Sequence, residues 1–273
     1  MIGHPIAHSR SPLIHGHWLA EFGIRGSYEW IDVSPSELET FIGSFAERGF
    51  VGGNVSIPHK EVVFHLVDEV TDVARRVGAV NTLWYENGRL IGHNTDAGGF
   101  TAGLDDAFGP GWSREVRSAL VCGAGGASRA VLIGLVDSGV ERIVLANRGR
   151  ERALALATLA PDHIEVVAWE EAESLLPEID LVVNATSLGM VGYPALPLDL
   201  DRLGPNTMVT DIVYAPLETP LLAAARARGL RTANGLGMLL HQAAPGFQAW
   251  FGTAPRVTPE LRALIEADVE RAA

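Results

Sequence analysis

The stretch Leu120-Val-Cys-Gly-Ala-Gly-Gly-Ala-Ser128 joins an apolar run to a glycine-rich turn, and an aliphatic run over residues 130–136 follows it. This order predicts a strand, a tight turn and a helix. Such a turn lets the backbone approach a dinucleotide pyrophosphate while the N–H groups of the helix face the phosphates. The alternative is a strand-to-helix turn without a ligand. Because the strand and the helix are both readable, the context favours a dinucleotide site.

The next predicted strand, residues 142–146, ends in the basic segment Asn147-Arg-Gly-Arg-Glu-Arg152. An NAD site usually has an acidic residue about 20 residues after the glycines, where it holds the ribose 2′-hydroxyl. Arginine instead binds phosphate through paired, charge-assisted hydrogen bonds and stacks on adenine. The segment therefore favours NADP over NAD. Arginines that are merely solvated at the start of a helix are the alternative.

Length and composition limit the class of protein. A chain of 273 residues with 47% hydrophobic and 20% charged residues fits a globular protein of two domains or one large domain. The net charge of −12 argues against nucleic acid or an anionic membrane as a partner. The single cysteine, Cys122, fits a reducing compartment and is interpreted as a small buried side chain. We expect a cytoplasmic protein, since neither a membrane span nor a signal-peptide pattern is evident.

Strand and helix patterns alternate along most of the chain, which predicts an α/β fold with largely parallel sheets. The segment Glu86-Asn-Gly88 predicts a hairpin turn. Strands are expected at residues 27–33, 50–57, 82–85, 89–91, 119–122, 143–146, 165–167, 181–184 and 208–213. Helices are expected at residues 35–46 with Ser34 as the cap, 60–67, 221–228, 239–250 and 259–270.

Four short segments in the first third of the chain concentrate polar side chains near predicted strand ends. They are Ser9-Arg-Ser-Pro12, Asn54-Val-Ser-Ile-Pro-His-Lys60, Asn81-Thr82 and Gly92-His-Asn-Thr-Asp96. Ligands of open α/β sheets collect beyond the carboxyl ends of the strands, so these loops are predicted to form one pocket. A lysine there can give a proton to a developing alkoxide during carbonyl reduction. The alternative is a set of turn formers, caps and a solvated lysine.

The histidines do not predict a metal site. His4, His8, His15 and His17 lie close together in the sequence, but their spacing matches no standard zinc pattern. His59, beside Lys60, is a candidate to line the pocket, although a structural role is the preferred interpretation.

At these residues the chain resembles the shikimate dehydrogenase family over nearly its whole length. The opening segment Gly3-His-Pro-Ile-Ala-His-Ser-Arg-Ser-Pro12 is similar to the family's opening motif, and residues 54–60 are similar to its N-V-T-x-P-x-K segment. Further matches are the glycine loop, Asn147-Arg148 with Arg152, and the segments at residues 184–190, 211–214 and 234–242.

The resemblance implies two α/β domains and the reversible reduction of 3-dehydroshikimate to shikimate by NADPH. It implies a substrate-binding domain of residues 1–97 plus 234–273, and a Rossmann-like NADP domain of residues 98–233. The implied catalytic residues are Lys60 and Asp96, and the implied substrate-binding residues are Ser9, Ser11, Ser56, Asn81, Tyr214 and Gln242. The implied cofactor-binding residues are Gly123, Ala124, Gly125, Gly126, Ala127, Ser128, Asn147, Arg148, Arg152, Thr186, Gly235 and Met238.

Some positions depart from the family's pattern. Ser56 replaces a threonine, Gly149 replaces a common threonine, Gly16 replaces an asparagine, and His241 stands where glycine is frequent. The change at Gly149 removes a side chain that would contact the 2′-phosphate of NADP.

Two other functions stay open at this stage: a quinate/shikimate dehydrogenase that prefers NAD, and a ligand-sensing homologue without turnover. Lys60 and Asp96 argue against the sensor, as does the lack of a basic stripe for DNA. A monomer and a homodimer are both compatible with the sequence.

Overall fold

A computed structural model describes residues 1–272 of the chain, which form two compact units. The first unit combines Met1–Asp96 with Leu240–Ile265, and the second combines Ala97–Leu239 with the residues from Glu266 on. Among the described residues, no helix is both long and apolar enough to cross a membrane.

The first unit alternates short strands and helices up to a β-hairpin. In chain order its elements are β1 (Ile2–Gly3), α1 (Ser11–Glu21), β2 (Ile31–Asp32), α2 (Leu38–Gly43), β3 (Gly52–Asn54), α3 (Lys60–Val63), β4 (Glu69–Val70), α4 (Asp72–Val77), β5 (Thr82–Glu86) and β6 (Arg89–His93). The predicted hairpin turn is confirmed, because Asn87 and Gly88 both have positive φ angles between β5 and β6.

The sheets of this unit are mixed. β1 and β2 pair in parallel, and a four-stranded sheet has the order β3-β5-β6-β4. In that sheet β5 is antiparallel to both neighbours, whereas β4 and β6 are parallel. The residue pair Asn54–Thr82 and the pair Thr82–His93 bring the ends of β3, β5 and β6 together.

The second unit follows the α/β alternation that the sequence predicts. Its elements begin with α5 (Asp96–Phe108), β7 (Ser118–Cys122), α6 (Gly126–Asp137), β8 (Arg142–Ala146), α7 (Arg150–Ala157), β9 (Ile164–Val167), α8 (Trp169–Leu175), β10 (Leu181–Asn184), β11 (Met208–Asp211), α9 (Pro220–Ala227) and β12 (Arg231–Ala233). The chain then forms α10 (Leu236–Phe251), which continues into the first unit, and α11 (Pro259–Ala272), which begins there.

The sheet of the second unit is parallel, with the order β12-β11-β10-β7-β8-β9. In order of appearance this is 6-5-4-1-2-3, the order of a Rossmann sheet, and it reverses between β7 and β10. Loops after those two strands, at Gly123 and Ala185, therefore lie at the edge where such sheets bind ligands.

Both faces of that sheet are buried, which explains its continuous apolar strands. Val121 and Leu145 belong to the core on one face, whereas Leu120 and Val144 belong to the core on the other. Each fully buried valine or leucine contributes about 1.5–3 kcal/mol relative to an exposed one. Cys122 lies in this second core, and burial raises the pKa of its thiol to about 12, so it acts as a small apolar side chain.

Several elements of the first unit are shorter than predicted. Strand 27–33 is reduced to Ile31–Asp32, because its partner β1 offers a ladder of only two residues, and strand 50–57 is reduced to Gly52–Asn54. Helix 35–46 extends only over Leu38–Gly43. The predicted Ser34 cap is wrong, because the Ser34 hydroxyl bonds to the carboxylate of Glu37 and not to a backbone N–H. Helix 60–67 ends at Val63.

His15 lies at the centre of an aromatic cluster in the first unit. Its ring stacks on Tyr28 at 4.1 Å between centroids and also contacts Trp18, Phe247 and Trp250. Neither ring nitrogen has a hydrogen-bond partner within residues 1–272. Burial lowers the pKa of His15 from 6.5 to about 3, so the ring is neutral at neutral pH.

Mild acid is expected to destabilise the protein through His15. Below pH 6.5 the unfolded chain takes up a proton at this residue, whereas the folded chain does so only near pH 3. The free energy of unfolding therefore falls as the pH drops from 6.5, by about 2 kcal/mol at pH 5. In His15→Phe, urea unfolding at pH 7 and pH 5 should show a loss that is smaller by about this amount. The exposed His8, changed to Gln, is the control, and an unchanged loss in His15→Phe would contradict the assignment.

Candidate active site

Lys60 and Asp96 form a nearly buried ion pair in the first unit. Lys60 is the first residue of α3, Asp96 begins α5, and Lys60 Nζ lies 2.6 Å from Asp96 Oδ2. The two side chains are 16% and 8% exposed. The Asp96 backbone N–H donates to Asn94 Oδ1 at 3.0 Å, which fixes the start of the helix. The ammonium is thus held beside the carboxylate, while a small part of the Lys60 side chain stays accessible.

Asn81 connects this pair to the neighbouring strands. Asn81 Nδ2 donates to Asp96 Oδ1 at 2.8 Å and to Thr95 Oγ1 at 2.9 Å. Its Oδ1 accepts hydrogen bonds from the Thr95 backbone N–H at 2.8 Å and from Thr82 Oγ1 at 2.9 Å. Gln242 Oε1, from α10, is 3.5 Å from Asn81 Nδ2. Asp96 is therefore in direct contact with two other predicted site residues, Lys60 and Asn81.

Three residues without a predicted role complete this network. Thr82 and Thr95 lie 3.2 Å apart between their hydroxyl oxygens, and Asn54 Nδ2 donates to Thr82 Oγ1 at 3.0 Å. All three are buried. Each lies in one of the polar segments of the sequence, and this was the sequence feature that could have indicated a role. Their contacts, however, depend on how β3, β5 and β6 pair.

Ser9, Ser11 and Ser56 are in the same unit but outside this network. The Ser9 hydroxyl accepts a hydrogen bond from the Ser11 backbone N–H at 3.3 Å and donates to Met1 Sδ at 2.9 Å. The Ser11 hydroxyl is buried and lacks a hydrogen-bond partner in the described part of the chain. A buried hydroxyl without a protein partner suits a ligand acceptor such as a carboxylate.

His59 has a structural role, as the sequence interpretation preferred. Its ring is buried, and Nε2 lies 2.7 Å from the backbone oxygen of Val33. This contact anchors the residue immediately before Lys60.

The glycine loop of the second unit lets other groups approach its backbone closely. Gly123 has a φ of +110°, and a Cβ there would lie 2.8 Å from the oxygen of Ala185 and from Thr186 Cγ2. By contrast, a Cβ on Gly125 or Gly126 would meet open space. The Gly125 N–H donates to the buried Ser128 hydroxyl at 3.1 Å, so Ser128 holds the turn in shape. Helix α6 begins at Gly126, four residues before the predicted aliphatic run.

Asn147 and two arginines follow the neighbouring strand. Asn147 Oδ1 accepts a hydrogen bond from the Ala124 N–H at 3.1 Å, and Asn147 Nδ2 donates to the Gly149 oxygen at 2.8 Å. Arg148 and Arg152 are exposed at the start of α7, whose N-cap, Gly149, supplies no side-chain hydrogen bond. The glycine loop and the basic segment are therefore joined through Asn147.

Thr186 lies against Gly123 in a loop fixed by buried polar groups. Asn184 Oδ1 accepts hydrogen bonds from the Thr186 N–H at 3.0 Å and from its hydroxyl at 2.7 Å. Asn184 Nδ2 lies 3.0 Å from both carboxylate oxygens of Asp211. Sequence reasoning assigned no role to Asn184 or Asp211.

Gly235 and Met238 lie in another part of the second unit. A Cβ on Gly235 would be 2.0 Å from the backbone oxygen of Ile212, so packing alone requires glycine here. Met238 is partly buried against the core of that unit. Tyr214 follows β11 by three residues and is partly exposed.

Comparison with known proteins gives the same assignment along the whole chain. A family model for the shikimate dehydrogenase substrate-binding domain matches residues 1–83, and a model for shikimate/quinate 5-dehydrogenase matches residues 110–190. A protein of Methylobacterium radiotolerans named shikimate dehydrogenase (NADP(+)) is 57% identical over 271 residues, which cover 98% of this chain and 96% of the relative. The chain belongs to the shikimate dehydrogenase family.

Solved structures of this family resemble the whole chain. Quinate dehydrogenase from Corynebacterium glutamicum, in complex with NAD, has a TM-score of 0.90 at 34% identity and covers 97% of each chain. Shikimate 5-dehydrogenase from Thermus thermophilus, in complex with NADP(H) and shikimate, has a TM-score of 0.85 at 38% identity. That match covers 100% of this chain and 98% of the other. The family thus includes members named for either substrate and either cofactor.

Proposed function

We propose that the protein is an NADP-dependent shikimate dehydrogenase, which reversibly reduces 3-dehydroshikimate to shikimate in aromatic amino-acid biosynthesis. The observation that carries the proposal is the Lys60–Asp96 pair, 2.6 Å apart and nearly buried beside Asn81. A relative 57% identical over nearly its whole length has this activity in its name. Ser9, Ser11, Ser56, Asn81, Tyr214 and Gln242 are the proposed substrate-binding residues.

Lys60 and Asp96 have different proposed roles in proton transfer. When a carbonyl is reduced, its oxygen becomes an alkoxide that needs a proton, and the Lys60 ammonium is the proposed donor. In the oxidation direction the neutral amine accepts the proton of the alcohol. Asp96 holds the ammonium through one oxygen, while Asn81 holds the other oxygen of Asp96. The nitrogen is therefore positioned before the substrate binds, which reduces the cost of reaching the transition state.

The second unit fits a phosphate-bearing dinucleotide. The open space above Gly125 and Gly126, at the start of α6, suits a pyrophosphate, and the exposed guanidinium groups of Arg148 and Arg152 suit a 2′-phosphate. Gly123, Ala124, Ala127, Ser128, Asn147 and Thr186 complete the proposed cofactor loop, and Gly235 and Met238 are also proposed as contacts. When bound, NADPH supplies the hydride that reduces the carbonyl carbon.

A steady-state assay at the absorbance band of the reduced nicotinamide tests the proposal. Shikimate and quinate are each paired with NADP and with NAD, and kcat/KM is measured for the four pairs. We expect the highest value for shikimate with NADP. A higher value for quinate with NAD would favour the second candidate, which the NAD-bound quinate dehydrogenase neighbour supports. Absence of turnover in all four pairs would favour a ligand sensor.

Arg148→Ala and Arg152→Ala should each weaken NADP selectively. A hydrogen bond to a charged group contributes about 1.5–3 kcal/mol, so the KM for NADP should rise about tenfold to hundredfold in each variant. The KM for NAD should stay unchanged, because NAD lacks the 2′-phosphate. Arg150→Ala, in the same basic segment, is the matched control with a change below about threefold. Equal losses for NADP and NAD would contradict the role of these arginines.

The remaining assignments are also proposals. Residues 1–97 plus 234–273 are the proposed substrate-binding domain, and residues 98–233 the proposed NADP domain. We propose a cytoplasmic monomer or homodimer that binds no nucleic acid, on the basis of the single buried cysteine and the net charge of −12. Size-exclusion chromatography with light scattering distinguishes the two oligomeric states.

A further inference from the structure

Tyr28 lies one hydrogen bond behind the polar network that holds Lys60 and Asp96. It is in the segment between α1 and β2, and its hydroxyl donates to Asn54 Oδ1 at 2.6 Å. Asn54 in turn donates from Nδ2 to Thr82 Oγ1 at 3.0 Å and to the backbone oxygen of Asn81 at 3.1 Å. The Asn81 backbone oxygen sets which way the Asn54 amide points, and the Tyr28 hydroxyl holds the oxygen of that amide in place.

The direction of each hydrogen bond in this chain is fixed. Because the backbone oxygen of Asn81 can only accept, the NH2 group of Asn54 must face it, and the Asn54 oxygen then faces the Tyr28 hydroxyl, which donates to it. The Thr82 hydroxyl, having accepted from Asn54, donates to Asn81 Oδ1 at 2.9 Å. Asn81 then presents its own NH2 group to Asp96 Oδ1 at 2.8 Å. Reversal of the Asn54 amide would place its oxygen against the backbone oxygen of Asn81, and reversal of the Asn81 amide would place its NH2 group against the Thr95 N–H.

The surroundings keep Tyr28 in its donor role. Burial raises the pKa of the phenol above its usual range, so the hydroxyl keeps its proton at working pH. The ring stacks on His15 at 4.1 Å with an angle of 19° between planes, and Trp250 lies 5.7 Å away. The aromatic cluster thus fixes the ring, and the ring fixes the position of the hydroxyl oxygen.

We propose that Tyr28, acting through Asn54 and Thr82, is a positioning residue that orients Asn81 and thereby the Asp96–Lys60 pair for proton transfer. We name Tyr28, Asn54, Thr82 and Asn81 the Tyr28 relay. The inference rests on the proposed dehydrogenase function and adds to it a residue that touches neither Lys60 nor Asp96.

The test is a double-mutant cycle of Tyr28→Phe and Asn54→Ala, followed by steady-state kinetics with shikimate and NADP. Tyr28→Phe keeps the stacked ring and removes only the donor, so kcat should fall about tenfold while the KM for NADP stays unchanged. In the Asn54→Ala background the same change should lower kcat by less than about twofold, because the relay is already broken. Tyr85→Phe, in β5 of the same unit, is the control with unchanged kcat.

Two results would overturn the relay: a kcat of Tyr28→Phe equal to that of the wild type, or an equal fall in both backgrounds. A thermal melt of each variant separates these results from unfolding. If Tyr28→Phe does not fold, Thr82→Val tests the relay at Thr82 instead. Its kcat should also fall about tenfold, and by much less in the Asn54→Ala background. A wild-type kcat, or an equal fall in both backgrounds, would again overturn the relay. The wild-type rate distinguishes the two hypotheses, since an inactive wild type overturns the proposed function and the relay with it.

Discussion

Lys60→Ala should lower kcat for shikimate oxidation by about 10²- to 10⁴-fold, the usual contribution of a positioned general acid or base. The affinity for shikimate, measured by calorimetry, should change little, because a group that acts on the proton in the transition state contributes little to ground-state binding. The substitution removes the ammonium 2.6 Å from Asp96 and leaves Asn81 in contact with that carboxylate. The binding residues therefore keep their positions.

Lys60→Arg separates charge from proton transfer. The guanidinium keeps the positive charge beside Asp96, but it does not release its proton at working pH. We expect kcat to stay low in this variant while its thermal stability approaches that of the wild type. Wild-type turnover in either Lys60→Ala or Lys60→Arg would show that another group transfers the proton.

The composition of the chain makes Lys60 directly observable. It is the only lysine among the 273 residues, alongside 20 arginines. Selective isotope labelling of lysine therefore gives one side-chain signal, and saturating shikimate should shift that signal in nuclear magnetic resonance spectra. An unshifted signal at saturation would mean that Lys60 does not face the substrate.

The second unit was the more predictable part of the fold. Strand β10 has the predicted bounds and β7 begins one residue earlier, because both faces of these strands are buried and their sequences are continuously apolar. Strand β12 was missed, since Arg231–Ala233 is a short edge strand with an exposed first residue. In the first unit the strands have two to five residues, and their lengths depend on partners distant in the sequence.

In the site, too, residues in local sequence motifs were predictable, whereas residues whose roles depend on contacts distant in the sequence were not. Lys60, Asp96 and Asn81 were predicted as site residues because they lie in polar segments near strand ends and their motifs resemble those of a known family. Tyr28 carried no signal, because its role depends on a contact with Asn54, 26 residues away. Ser128 and Gly235 show a different limit: each matches a cofactor motif, yet the structure gives each a packing or turn function sufficient to explain the residue.

Asp211→Ala should lower the free energy of unfolding by about 3 kcal/mol, because it removes the acceptor of several buried donors. Asp211 Oδ1 accepts from the Val213 N–H at 3.0 Å, and Oδ2 accepts from Thr219 Oγ1 at 2.8 Å. Asn184 Nδ2 lies 3.0 Å from both oxygens. Burial raises the pKa of Asp211, and these donors reduce the cost of the buried charge.

Asp211→Asn and Thr219→Val each remove part of the interactions that Asp211→Ala removes, so each should lower the free energy of unfolding by less. The asparagine variant can keep an oxygen facing Val213, but its NH2 group then faces the NH2 group of Asn184, so we expect a loss of about 1–2 kcal/mol. Thr219→Val removes the donor to Asp211 and also the hydroxyl that accepts the Leu222 N–H at the start of α9, so about 1–2 kcal/mol is expected. Urea unfolding of the three variants at one pH should show Asp211→Ala as the least stable. An Asp211→Ala variant as stable as the wild type would mean that these donors find other partners.

Asp211→Asn should also weaken cofactor binding. Asn184, once it loses Asp211, keeps the Leu188 oxygen, 2.9 Å away, as an acceptor for its NH2 group but loses its second acceptor, and its own oxygen holds the Thr186 N–H and hydroxyl next to Gly123. We therefore expect the KM for NADP to rise in Asp211→Asn while the KM for shikimate stays near that of the wild type. A rise in both would indicate general loosening of the fold, whereas a rise for NADP alone identifies Asp211 as the residue that orients the Thr186 loop.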